Sequence, residues 1–166
     1  MGKVLSLVEL KLEVENLRKK GKKIVVTNGV FDLIHIAHLH ILKKCKSMGD
    51  ILIVLINSDY SVKRYKGDKR PILNENDRAE LLAAFSIVDY VCIFPEDTPL
   101  KALEEIKPNI LAKGGAYIPE RVKAEEELLK KWSGKLITFP LEKEYSSTNI
   151  IKKVLQAYQD EHIQSK

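Results

Sequence analysis

Cysteine is scarce in this chain: Cys45 and Cys92 are the only two in 166 residues. Two thiols so far apart build neither a disulfide framework nor a zinc cluster, and they suit a reducing, cytoplasmic setting. Long apolar runs are absent as well. Nothing approaches the roughly 18 consecutive apolar residues of a membrane span. Glu9, Lys11 and Glu13 break the first apolar stretch, so no signal peptide is expected. No basic helix interleaved with aromatics is present, and the net charge of +5 suits small polyanionic substrates at least as well as nucleic acid. Repeats, linkers and low-complexity segments are missing too. With 45% hydrophobic and 31% charged residues, the expectation is one soluble globular domain over residues 1–166, with no nucleic-acid or membrane partner.

What the chain does have is concentrated in residues 24–48. Ile24, Val25 and Val26 read as a buried strand, Thr27-Asn28-Gly29 as a tight polar turn, and the residues after them as a helix that begins at His35 and His38. Gly29 leaves main-chain N–H groups uncovered. A helix N-terminus adds unpaired donors and a partial positive charge. Imidazoles at i and i+3 share one face of the first turn and can donate to the same anion. That combination is phosphate chemistry. Two plainer readings compete: histidines that merely satisfy a helix face, and a metal site of Asp32, His35 and His38. The metal reading lacks further ligands nearby, so no metal site is expected.

Along the chain, Leu7, Leu10, Val14 and Leu17 recur at helical spacing over residues 4–20, ending at Gly21. This amphipathic helix packs on the sheet or on a second subunit, which keeps a homodimer within the expectation. After the histidine helix, the apolar run ILIVLIN (51–57) reads as a central strand buried on both faces, and strand, helix and strand make a right-handed βαβ unit. KRYKGDKR (63–70) sets five basic residues against one acid and reads as a loop at the ligand-binding edge. A helix capped at Asn74 carries Arg78, which either pairs with Glu75 or reaches a phosphate. Strands follow at 88–94, 110–112 and 135–139, the second delivering Lys113-Gly114-Gly115. Pro119 opens a helix with Val122, Leu129 and Trp132 toward the core. Ser146, Ser147 and Thr148 cap a last helix and present hydroxyls and free N–H groups to a phosphate, and a polar tail starts near residue 159. The fold class is α/β: a Rossmann-like three-layer sandwich with a mostly parallel five-stranded sheet.

Five segments carry a resemblance. Asn28-Gly29-Val30-Phe31-Asp32 followed by His35-Ile36-Ala37-His38 resembles the signature of the HxGH nucleotidyltransferase superfamily, with Ala37 in the glycine place. TNGVFDLIHIAH (27–38), INSDYSVKRYKGDKRP (56–71), EDTP (96–99), LAKGGAY (111–117) and SSTNIIKKV (146–154) together resemble the adenylyltransferase domain of bacterial ADP-heptose synthesis. That family's pattern runs TNGCFD, HxGH, NSD, KGDxRP, EDTP, KGGDY and STTNII. Val30 replaces its cysteine, and Ala116 stands where it has an aspartate, which bears on base or sugar specificity and not on phosphate chemistry. In that family the domain is often fused to a sugar kinase. A chain of this length is expected to be the transferase alone.

The resemblance implies transfer of AMP from ATP to D-glycero-D-manno-heptose 1-phosphate, with Mg²⁺, by direct in-line attack of the sugar phosphate on the α-phosphorus. It implies His35, His38 and Lys66 as catalytic groups. Asn28, Gly29, Val30, Phe31, Gly114, Gly115, Ser146, Ser147 and Thr148 join the histidines on the nucleotide, and Asp32, Asp59, Lys63, Arg70 and Arg78 lie toward the sugar phosphate. Two alternatives stay open: a cytidylyltransferase acting on a phosphorylated polyol such as glycerol 3-phosphate, and a nucleotide-binding module without turnover.

Overall fold

The computed structural model describes residues 1–114, 119–140 and 145–164. In chain order the elements are β1 (Lys3–Val4), α1 (Leu7–Lys19), β2 (Ile24–Gly29), α2 (Ile36–Lys46), β3 (Ile51–Asn57), α3 (Asp59–Lys66), α4 (Glu75–Ala83), β4 (Tyr90–Phe94), α5 (Leu100–Ile106), β5 (Ile110–Gly114), α6 (Pro119–Lys130), β6 (Lys135–Phe139) and α7 (Ser147–Gln164). The strands lie side by side in the order β1-β4-β3-β2-β5-β6. All their pairings are parallel.

Strand alternation sorts the core into two layers. On β3, Ile53 and Leu55 point to one face, where they meet Leu10, Val14 and Leu17 of α1, Leu103 and Ile106 of α5, and Leu129 of α6. Leu52, Val54 and Ile56 point to the other, against Leu42 and Cys45 of α2 and Ala79 and Leu82 of α4. Burying one such leucine or isoleucine stabilises by roughly 1.5–3 kcal/mol, so β3 ties both layers together. Helix α1 enters through a capping box: Glu9 N–H donates to Ser6 Oγ at 3.3 Å and Ser6 N–H donates to Glu9 Oε2 at 2.9 Å. Its apolar face packs on the sheet, while Val8 and Leu12 remain exposed. Among the described residues, no helix is long and apolar enough to cross a membrane.

Two expectations are corrected here. Among the described residues the sheet has six strands and not five; the addition is β1, an edge pairing of Lys3 with Tyr90 and Val4 with Val91. Two residues are too few to carry an alternation signal. The basic stretch 63–70 is also not a loop throughout. Ser58 caps a helix by accepting from Ser61 N–H at 3.2 Å, and α3 runs to Lys66, seated by buried Ser61 and Val62. Only Gly67 onward is loop.

The sheet order fixes where a ligand fits. From β2 the chain goes outward to β3 and β4, then returns to the other side of β2 for β5 and β6. The order therefore reverses between β2 and β5, and open α/β sheets bind ligands outside the carboxyl ends at such a switch point.

Candidate functional site

At that point Thr27, Asn28 and Gly29 end β2 and Lys113 and Gly114 end β5, under a cleft of about 410 Å³. The turn after β2 and helix α2 wall it with Val30, Phe31, Asp32, His35, His38 and Ile41. Tyr65, Lys66 and Arg70 come from α3 and its following loop, Arg121 and Glu125 from α6, and Ser146, Ser147 and Thr148 from the start of α7. The structure thus brings most of the sequence-predicted residues to one place. Asp59, Lys63 and Arg78 are not among the lining residues, and Gly115 lies outside the described residues, as does Ala116.

His35 is the N-cap of α2, and His38 sits at the third helical position. The backbone N–H of His35 donates to Nδ1 of His38 at 3.2 Å. This makes Nδ1 the acceptor, so the neutral ring carries its proton on Nε2 and offers it as a donor. The two rings stack with centroids 3.8 Å apart. Burial, then the neighbouring His35 and Lys66, push the His38 pKa down to about 4. At neutral pH this histidine is an uncharged donor.

Phe31 fixes the turn. Its φ of +49° places a bulky residue in the left-handed region, at a cost of about 1–2 kcal/mol. The ring is buried, 5.1 Å from that of His38. It also fills the space beside Gly29: a Cβ there would meet Phe31 Cε2 at 3.1 Å. The bare Cα of Gly29 thus makes room for a side chain of the same turn, while the residue also lines the cleft. Gly114 is similar. An added Cβ would lie 2.3 Å from Cδ1 of Ile41, so this glycine seats α2 on β5 rather than clearing a face for a nucleobase.

Asp32 and Arg78 are corrected more sharply. Asp32 is buried; its Oδ2 accepts from Arg70 Nε at 2.6 Å, and its Oδ1 accepts from the N–H groups of Ile72 and Leu73 at 2.8 and 3.0 Å. It positions Arg70 in the cleft wall rather than binding substrate directly. Arg78 is fully buried. Its guanidinium donates to the carbonyls of Leu73, Val30 and Asn57 and to Asp59 Oδ1. It clamps the ends of β2 and β3 to α3 with four of its five N–H donors, and its burial keeps it from a phosphate in the cleft. Asp59 is its partner, and Glu75, the expected partner, instead accepts from Asp59 N–H. Lys63 is exposed on α3.

Lys66, the last residue of α3, lines the cleft with its Nζ 5.7 Å from the Tyr65 ring centroid. Although the side chain keeps contact with solvent, desolvation by the cleft wall lowers its pKa. Arg70 adds to that shift and Asp32 opposes it. Arg121, from the first turn of α6, approaches the same Tyr65 ring at 5.6 Å. Ser146 Oγ accepts from Asn149 N–H at 3.1 Å, and Ser147 Oγ donates to Leu33 O at 3.1 Å. The start of α7 is therefore capped and fastened to the segment before α2, with Thr148 beside it. Asn28 Oδ1 is buried with no hydrogen-bond partner among the described residues, the condition of an acceptor that a ligand's donor completes.

The sequence pattern gives no warning of Tyr65, Arg121 or the Lys113–Glu125 pair. Among the described residues no group of three or more His, Cys, Asp and Glu is placed to hold a metal ion.

Residues 26–153 match the family model described as cytidylyltransferase-like. Among curated proteins, the bifunctional protein HldE of Geobacter metallireducens is 46% identical over 160 residues, which are 96% of this chain and 32% of that protein. HldE of Helicobacter pylori is 48% identical over 158 residues, 95% of this chain and 32% of that one. The chain spans about a third of the length of these relatives. Among solved structures, the lipopolysaccharide core biosynthesis protein of Thermoplasma volcanium superposes with a TM-score of 0.61 at 31% identity, over 74% of this chain and 98% of that one. Pantoate–β-alanine ligase of Francisella tularensis, complexed with β,γ-ATP and β-alanine, gives a TM-score of 0.62 at 20% identity, over 90% and 76% of the two chains. That likeness is one of fold.

Proposed function

We propose that this chain, which belongs to the cytidylyltransferase-like family, transfers AMP from ATP to a heptose 1-phosphate, giving ADP-heptose and pyrophosphate. The observation that carries the transfer is the convergence at one switch point of two helix N-termini, a neutral histidine donor and the cations Lys66 and Arg70. The choice of sugar is supported by the joint KGD-x-RP and KGG-x-Y segments and by relatives of about 46% identity that carry two functions over three times this length.

In this reading an oxygen of the sugar phosphate attacks the α-phosphorus in line. The new O–P bond forms as the bond to the β-phosphate oxygen breaks, and its electron pair leaves with pyrophosphate. Positioning and charge stabilisation are all the protein must supply. His38 donates through Nε2, with His35 beside it, to the oxygens that gain charge. Lys66 neutralises charge on the α-phosphate or the leaving group, and Arg70, aimed by Asp32, stands behind it. The start of α7 with Ser146, Ser147 and Thr148 receives the β- and γ-phosphates. Among the described residues no carboxylate or histidine cluster is placed to cage a metal ion, so Mg²⁺ would come with the triphosphate as this ion usually does and would supply charge neutralisation there. ATP supply and the buried free thiols of Cys45 and Cys92 favour the cytoplasm.

Pyrophosphate release, measured with each nucleoside triphosphate against heptose, hexose and polyol phosphates, tests the proposal. ATP with heptose 1-phosphate should be the productive pair. CTP with glycerol 3-phosphate as the best pair would move the chain to the cytidylyltransferase alternative, and nucleotide binding without release would make it a non-catalytic module.

Lys66→Ala should lower kcat at least tenfold, about 1.4 kcal/mol of barrier, because a charge that acts on the transition state is read in kcat more than in nucleotide affinity. The effect should persist at high salt. Lys69, in the same basic stretch, is exposed and does not line the cleft, so Lys69→Ala should be mild. Equal and salt-sensitive losses in both variants would instead mean a general electrostatic funnel.

A further inference from the structure

Two buried charges in the cleft take no part in the phosphate chemistry above. Lys113, near the end of β5, has a side chain 11% exposed, and Glu125, in the middle of α6, one 1% exposed. Lys113 Nζ donates to both carboxylate oxygens, at 2.6 and 2.5 Å. A lysine held this way is neutralised and makes a poor phosphate ligand, and a buried carboxylate beside it repels phosphate. Yet both residues line the cleft.

A carboxylate only accepts hydrogen bonds, and each of its oxygens can take more than one. Glu125 therefore keeps acceptor capacity after Lys113 is counted. A second acceptor, Asn28 Oδ1, is buried at the end of the adjacent strand β2 with no partner among the described residues. The β2–β5 side of the cleft thus presents acceptors, while the α3 side presents the cations Lys66 and Arg70. A nucleoside triphosphate is polarised in the same sense. Its phosphates are anionic acceptors, whereas its nucleoside end offers donors: an exocyclic amine and ribose hydroxyls.

We propose that Glu125, held in place by Lys113, is a specificity-determining residue that recognises the nucleoside of the triphosphate through its hydrogen-bond donors. This rests on the nucleotidyl-transfer reading. The test compares the wild-type chain with Glu125→Gln and with the double variant Lys113→Met/Glu125→Leu, which removes both charges and should fold because apolar replacement of a whole buried pair is often neutral or stabilising. For each protein, kcat/KM and calorimetric affinity are measured with ATP, with ITP, which has a carbonyl in place of the amine, and with 2′-deoxyATP and 3′-deoxyATP. Pyrophosphate alone probes the phosphate end. Wild type should prefer ATP over ITP or over a deoxy analogue, and both variants should lose at least tenfold of that preference while pyrophosphate affinity changes less than twofold. Loss against ITP assigns Glu125 to the amine, and loss against a deoxy analogue assigns it to the ribose. A wild type without preference, or folded variants that keep it, overturns the proposal. Failure of wild type to release pyrophosphate from any triphosphate sinks the transfer reading instead, and calorimetric preference for ATP still decides the role of Glu125.

Discussion

Replacing Arg78 by methionine should destabilise the fold by about 3–5 kcal/mol, the scale for breaking a buried ion pair from one side. Against a total stability of roughly 5–15 kcal/mol, that leaves a protein largely unfolded on mild heating. Methionine fills much of the volume but donates nothing. The carbonyls of Leu73, Val30 and Asn57 and the Asp59 carboxylate would all lose their donor, and a buried unmet acceptor costs about 1–3 kcal/mol. Lysine would keep the charge yet cannot span four acceptors arranged around a planar guanidinium, so Arg78→Lys should also lose stability. Urea midpoints and thermal melts report this directly. A variant with wild-type melting and only weakened ATP binding would show that Arg78 is a phosphate ligand after all.

Arg78 also marks where sequence reasoning stops. On a helix three residues after Glu75, an arginine looks the same whether it faces solvent, a ligand or the core. Only the meeting of β2, β3 and α3 around it decides, and those contacts span up to 48 positions in sequence. Asp32 has the same history: the motif places it at the phosphate turn, but Arg70, Ile72 and Leu73 claim both of its oxygens. Glu125 is harder still. In KAEEELLKK it is one of three consecutive glutamates that read as a solvated face, and Lys113 on another element is what makes its burial tolerable. By contrast, β2, β3 and the histidine helix were legible because their signals are local: a continuous apolar run, a polar turn with glycine, and a helix start. Helix α3 was hidden by its charges, since only Ser61 and Val62 on it are buried. The cleft was therefore readable where its residues come from one turn or one helix start. It was not readable where two distant charges cancel.

Turnover should fall by roughly 10²–10³ in His38→Ala, about 2.7–4 kcal/mol, the loss expected when one preorganised donor to developing charge is removed. The size follows from how the ring is held. The N–H of His35 occupies Nδ1, stacking on His35 and contact with Phe31 fix the plane, and Nε2–H remains as the donor, with no reorganisation needed during the reaction. Because burial holds its pKa at about 4, His38 should give no ionisation limb near 6.5 in the pH profile of kcat. Its protonation still appears in stability, with a definite sign. The unfolded histidine takes up a proton below about 6.5 while the folded one does not until about 4, so stability is full above 6.5 and declines as pH falls between those values. Melting temperatures at pH 7.5 and 5.0 should differ more for wild type than for His38→Gln, which removes that proton. The alanine variant should remain folded at pH 7.5, since the ring's polar edge faces the cleft. Near-full activity in folded His38→Ala, or unfolding of the variant at neutral pH, would reduce His38 to a structural member of the α2 start and would move the charge-stabilising role to Lys66 and the helix termini.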